Sequence, residues 1–287
     1  MLSAAVSFTF MSILVKLMPD GYTVWHLGFI RCFGGMLVLL IFFGRKKNPY
    51  KGYNIPLLIL RGCSGAIAFF AVVTAVRNLP ISTAIVLFYS YPAFAGLFGF
   101  LIYKEKITFF QAVCMAFLIL GVAVLFDFSL TGSGYGQIMA IVGAVFAGLT
   151  VTLIRSLIKI NGPVIIYLYF CTMGMLLTLP AFLMTPIIPA SALEWTMVIG
   201  IVISSVAAQL LMNKGFLFCQ GFEGASYMSC EVLFTALVGI LFLNDPVNWR
   251  FFVGGILIVG SGLALNRLII VKRNKPLFPT FRESKSA

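Results

Sequence analysis

The sequence predicts an all-α polytopic membrane protein, with ten transmembrane helices arranged as two inverted five-helix repeats and both termini cytoplasmic. Three observations carry this expectation. Hydrophobic residues fill 61% of the 287 positions and charged ones 10%, and the mean hydropathy is +1.07, far from the averages of soluble domains. The apolar positions fall into ten runs, each near the ~20 residues a helix needs to cross a ~30 Å hydrocarbon core. Lys and Arg crowd one set of loops and avoid the other, as expected of a cytoplasmic and an external face. Five is odd, so a second five-helix unit must enter from the opposite face. Many secondary transporters are built this way.

The first run, 2–18, follows Met1 with neither a basic n-region nor a small-residue cleavage site. It reads as a retained helix, not a signal peptide. It stops at Met18-Pro-Asp-Gly21, and the second run, 25–43, stops at Gly44-Arg-Lys-Lys-Asn-Pro49. Asn78-Leu-Pro80 parts the third run, 54–76, from the fourth, 82–102, and the fifth covers 107–126. Asn161-Gly-Pro163 parts the sixth, 137–157, from the seventh, 164–184. The eighth is 193–212, and Asn244-Asp-Pro246 parts the ninth, 223–243, from the tenth, 249–270. Pro, Gly and Asn punctuate these breaks because they disfavour continued helix. Residues 1–126 form the expected first repeat and 137–270 the second. Residues 271–287 form a basic cytoplasmic tail, and there is no room for a soluble domain.

Orientation follows from the cations. Arg45, Lys46, Lys47, Lys51, Lys104, Lys106, Arg155, Lys159 and Lys214, with Arg267 and five in the tail, make fifteen of the twenty Lys and Arg. The opposite loops hold Arg77 and Arg250, with Lys16 and His26 at the outer interface. The net charge of +12 is therefore a topological signal, not a nucleic-acid surface. A shift of about 140 residues lays Ser64 on Ser204, Ala68 on Ala208 and Gly99 on Gly239. The basic loop 44–53 has an uncharged counterpart in 185–192, as an inverted duplication requires. Six cysteines lack a C-x-x-C pair, there is one His, and no G-x-x-x-x-G-K-[ST] loop is present. No disulfide framework, metal, cofactor or nucleotide site is implied. An enzyme would need clustered carboxylates, His ligands or a nucleophile–base pair, so the chain reads as a non-enzyme. A passive channel or scaffold remains the alternative to a transporter.

The stretches Ala75-Val-Arg-Asn-Leu-Pro80, Ala84-Ile-Val-Leu-Phe-Tyr-Ser-Tyr-Pro92 and Tyr103-Lys-Glu105-Lys-Ile-Thr108 resemble the EamA-type family of the drug/metabolite transporter superfamily. Ala225-Ser-Tyr-Met-Ser-Cys-Glu231 and Leu243-Asn-Asp245 look like that family's second copy, with Val232 where a proline is common and Asp245 in place of Glu. The resemblance implies ten helices, an inverted repeat, alternating access and a substrate cavity between the bundles. It also implies a multi-pass protein of the plasma (inner) membrane, whose partners are a small-molecule substrate and the lipid bilayer. It does not choose the substrate, and proton or ion coupling and a homodimer stay open.

Ionisable groups at membrane depth cost about 2.5–3.5 kcal/mol each and usually face a cavity or a partner. Glu231 lies about 12 Å into its span, Arg61 about 10 Å from the same face, and Arg31 about 9 Å from the other. Glu231 and Arg61 share a depth and are expected to meet as a gate or a static pair. Arg31 is a candidate anchor for a carboxylate or phosphate, because a guanidinium offers a fork of donors. Tyr227 and Thr235 sit at i±4 from Glu231, and Ser205 and Gln209 form a similar polar line in the eighth span, continued by Asn213. Pro92 removes a backbone donor and is expected to kink or hinge the fourth span. Phe88, Tyr91 and Ala95 then share one face, so Tyr91 reaches substrate and Tyr89 points away. Glu105 and Asp245 read as structural carboxylates capping helix junctions. The substrate expected for this set is a small polar or amphipathic metabolite, an amino-acid-like zwitterion or an organic anion.

Overall fold

The computed structural model describes residues 1–19, 21–44, 50–79, 84, 87–104, 108–125, 133–219, 221–242 and 249–274. Among these, all the regular elements are helical. They are α1 (Leu2–Leu17), α2 (Val24–Phe43), α3 (Ile55–Asn78), α4 (Tyr91–Tyr103), α5 (Phe109–Leu125), α6 (Gly134–Met184), α7 (Ala192–Gly215), α8 (Gly221–Met228), α9 (Cys230–Phe242) and α10 (Trp249–Asn274). Among the described residues four helices, α2, α3, α6 and α7, are long and apolar enough to cross a membrane, and α1, α4, α5 and α10 hold shorter apolar stretches. Arg45, Lys46, Lys47, Glu105, Lys106, Asp245 and the tail beyond Asn274 lie outside the described residues, as do the side chains of Lys16 and Thr235.

Local chemistry fixes the helix starts. Thr23 and His26 form a capping box at α2, with the Thr23 amide donating to His26 Nδ1 at 3.0 Å. The other ring nitrogen of His26 meets the Thr185 carbonyl at the end of α6. His26 is only 1% exposed, so it is a buried tie and not the interfacial residue that its position near a span end suggested. Ser191 caps α7 by accepting from the Glu194 amide at 3.1 Å, and Glu194 accepts from the Tyr22 hydroxyl at 2.8 Å. Desolvation and that carboxylate push the Tyr22 phenol up to about 12.

The two runs expected at 137–157 and 164–184 are arms of one helical stretch, α6, which leaves helical geometry only at Gly162 (φ 74°, ψ 166°). The break is held from both sides. Asn161 accepts from the Tyr53 amide at 2.6 Å and donates to the Tyr53 carbonyl at 3.0 Å. Asn213 of α7 donates to the Pro163 carbonyl at 3.2 Å.

Pro92 does not kink a continuous helix. It stands in the first turn of α4, after a turn at Tyr89–Ser90, where its missing N–H would have no intrahelical partner in any case. The run expected at 223–243 is also interrupted, at Ser229 between α8 and α9. There the ladder tightens to Val232 N–H donating to the Ser229 carbonyl at 3.1 Å. The two interruptions are about 140 residues apart and they touch, because the Tyr91 hydroxyl donates to the Ala225 carbonyl at 3.0 Å.

Small residues let the helices close on one another. A Cβ on Gly143 would stand 3.2 Å from the Val72 amide nitrogen of α3, and one on Gly148 would stand 2.7 Å from the Ala95 amide nitrogen of α4. In membranes such close approach supplies the dispersion contact that the hydrophobic effect does not. An apolar groove of about 820 Å³ runs between α2 and α7, walled by Phe33, Leu37, Ile41, Trp195, Ile199 and Ile203. Its lining has almost no polar group to orient a ligand, and those six side chains are exposed as lipid-facing residues are.

Gly162→Ala places a Cβ in open space but at a backbone conformation that L-residues rarely adopt. It is expected to cost about 1–3 kcal/mol, seen as a lower Tm of the detergent-purified protein. Gly134→Ala, also in open space but without a positive φ, is expected to leave Tm unchanged.

Candidate functional site

A second cavity, of about 330 Å³, opens between α1, α2, α3, α4, α6, α7, α8 and α9. That size is at the lower end of the ~300–1,000 Å³ typical of small-molecule sites. Arg31, Arg61, Gln209, Tyr91 and Glu231 all line it. Its remaining walls are largely apolar and aromatic, with Phe8, Phe69, Phe88 and Phe170 among them.

Arg31 is 8% exposed and donates from Nε to Ser205 Oγ at 2.7 Å. Its guanidinium lies 5.6–5.9 Å from the centroids of Phe8, Phe69 and Phe170. Ser205 is fully buried behind it, also within 3.2 Å of the Tyr167 hydroxyl, and does not line the cavity. It orients Arg31 and is not positioned to touch a ligand. The polar line on α7 thus does three different things: Ser205 holds Arg31, Gln209 faces the cavity, and Asn213 braces the α6 break.

Arg61 is 1% exposed and sits 4.9 Å over the Phe170 ring. Its Nη2 donates to Gln209 Oε1 at 3.2 Å, while Nε and Nη1 have no partner. Shared depth therefore does not produce a Glu231–Arg61 ion pair. The two residues line one cavity, but Gln209 takes the Arg61 donor, and the Ser12 and Tyr89 hydroxyls and the charge of Arg31 act on the Glu231 carboxylate. Glu231 is also tied through its backbone, whose carbonyl accepts from Thr9 Oγ1 at 3.4 Å.

Two expectations are corrected by the helix breaks. Tyr227 and Glu231 share an i, i+4 face only in an unbroken helix. The turn at Ser229 separates them, and the Tyr227 hydroxyl is buried without a hydrogen-bond partner, outside the cavity lining. Tyr89 does not point away. The turn at Tyr89–Ser90 changes the helical phase, so Phe88, Tyr89 and Tyr91 all reach the cavity, with ring centroids 5.6–5.8 Å apart. The phenol of Tyr91 is engaged by the Ala225 carbonyl, so it offers the cavity its ring. Ser12 and Phe170, each with no sequence pattern to mark it, complete the polar and aromatic walls.

The EamA-like transporter family matches residues 1–127 and again 134–267. The chain belongs to that family. Relatives include the pseudopaline exporter CntI of Pseudomonas aeruginosa (strain UCBPP-PA14), 25% identical over 270 residues that cover 93% of this chain and 95% of that protein. Human solute carrier family 35 member G1 is 25% identical over 280 residues, covering 91% of this chain and 76% of the relative. A solved protein crystal structure shares the fold with a TM-score of 0.76 at 18% identity, over 96% of each chain. The chain is thus a multi-pass membrane transporter of the EamA-like family.

Removing the Ser205 hydroxyl strands Arg31 Nε. Ser205→Ala is expected to cost about 1.5–3 kcal/mol, as for a lost hydrogen bond to a charged group, and Tyr167→Phe about 0.5–1.5 kcal/mol. Thermal unfolding of the two variants in the same detergent checks the order.

Proposed function

We propose that this chain is a secondary active transporter that moves a small polar or amphipathic metabolite across the plasma (inner) membrane by alternating access. The substrate class is an amino-acid-like zwitterion or an organic anion. The observation that carries this reading is the 330 Å³ cavity, where Arg31, Arg61, Gln209 and Glu231 converge inside aromatic walls. Ionisable side chains at such depth face a substrate or ion path. A mostly apolar pocket with a few placed polar groups is what a small-molecule site requires.

Two inverted five-helix units, spanning 1–126 and 137–270 with both termini cytoplasmic, supply the mechanism. The double family match and the paired helix interruptions at Tyr89–Ser90 and Ser229 support that duplication. Broken helices at a repeat interface are where transporters of this kind hold substrate. The buried arginines, with Arg31 stiffened by Ser205, offer an acidic group their donors, and Glu231 binds an amine or carries a coupling proton. One relative is named an exporter, which favours outward movement. No nucleophile–base pair lines the cavity among the described residues, and a transport step requires none.

Proteoliposomes containing the purified protein are expected to show saturable flux of the preferred solute. Glu231→Gln keeps the shape of the carboxylate and removes its charge, and is expected to abolish that flux. Unsaturable flux in the parent would make the protein a channel, and parental flux in the variant would remove Glu231 from the mechanism.

A further inference from the structure

The cavity has an uneven set of charges. Arg31 and Arg61 both line it, and among the described residues Glu231 is the one carboxylate that does. Arg31 is engaged through Nε on Ser205 Oγ at 2.7 Å and shares the cavity with Glu231. Arg61 is not matched in this way. Its acceptor is the neutral Gln209 carbonyl oxygen at 3.2 Å, its lower face is the Phe170 ring at 4.9 Å, and two of its three nitrogens have no acceptor. A guanidinium that is 1% exposed has given up its water. Ring and amide dipoles soften that loss but do not neutralise the charge. Among the described residues no carboxylate supplies that counter-charge, and a bound anion would supply it.

Resting on the transporter reading above, we infer that Arg61, not Arg31, is the seat of a substrate carboxylate, and that the transported species is an amphipathic organic acid with a net charge of minus one. The size of the excess selects the class. A single carboxylate balances the one unmatched guanidinium. A phosphate monoester, with a charge of about −1.5 to −2 at neutral pH, would over-balance it. A zwitterion whose ammonium took Glu231 would leave Arg31 in turn without its carboxylate. Beyond Arg61 the walls are largely apolar, with Phe8, Phe69, Phe88, Met11 and Met228 among them, so most of the rest of the substrate is apolar. Gln209 acts as a selectivity residue: it aligns the guanidinium without neutralising it and keeps the seat free.

The test uses four probes on one skeleton: hydrocinnamate (monoanion), phenylalanine (zwitterion), phenylpropylamine (cation) and phenethyl phosphate. Each is titrated into the full-length protein in nanodiscs, with binding read by thermal shift and competition. Hydrocinnamate is expected to bind at least about tenfold more tightly than the other three, the scale of one buried charge-assisted hydrogen bond. Arg61→Gln should lose that preference, and Arg61→Lys should keep part of it. Gln209→Glu leaves Arg61 in place but supplies a built-in carboxylate. It should lose hydrocinnamate binding by about tenfold or more while gaining relative affinity for neutral or zwitterionic probes. Equal or better binding of phenylalanine, amine or phosphate overturns the inference, as does parental affinity in both Arg61→Gln and Gln209→Glu. If none of the four binds, the inference falls. Flux assays in proteoliposomes then separate the two readings: saturable amino-acid or amine flux leaves the transporter standing, and no flux of any metabolite removes it as well.

Discussion

Inside a bilayer no water is available to satisfy a backbone N–H or C=O, so any departure from helix must find its partners within the protein. That constraint organises this molecule. Where α6 breaks at Gly162, between two spans, Asn213 donates to the Pro163 carbonyl and Asn161 pairs with the backbone of Tyr53. Where the chain turns before α4, a proline sits at the position that donates nothing, and the Ser90 hydroxyl donates to the Leu87 carbonyl at 2.6 Å. Where α8 gives way to α9, the Ala225 carbonyl accepts from both Tyr91 and Ser229. The cavity lies beside the last two of these irregularities, where Tyr89, Tyr91, Met228 and Glu231 line it.

The charges inside follow the same logic at larger cost. Arg31 is wrapped by three aromatic rings and held by a serine that has no exposure of its own. Arg61 rests on the same Phe170 ring from another side. A single aromatic residue on α6 therefore serves two cations from two other helices, which couples the positions of α2 and α3 to one arm of α6. Ring faces attract cations without accepting a hydrogen bond, so they hold the guanidiniums while leaving donors available.

Much of this was legible in the sequence. The bounds of α1, α2, α3, α5 and α7 differ by about three residues or fewer from the apolar runs, because burial in lipid leaves a compositional mark that needs no tertiary information. The rare ionisable residues at depth stood out for the same reason. What did not show was helical phase. Hydropathy does not register the turns at Tyr89–Ser90 and Ser229, so Tyr89 was placed on the wrong face and Tyr227 on the right one, and both were reversed. Nor does a sequence separate the residue that touches the cavity from the one that braces it. Ser205 and Gln209 are the same distance along a helix as any i, i+4 pair, and only the position of Arg31 assigns them different work.

The two arms of α6 have a consequence for what counts as a half of this protein. Gly143 and Gly148 lie against Val72 and Ala95, and farther along Gly174 lies against Cys32. All three partners are encoded in the first 127 residues, yet the glycines belong to the second matched segment. The halves are interlaced like clasped fingers, not set side by side like two shells. A cut in the linker between the matched segments would therefore yield two fragments, each exposing small-residue faces that fit only the other. The segment that the family model matches and the body that packs are different objects.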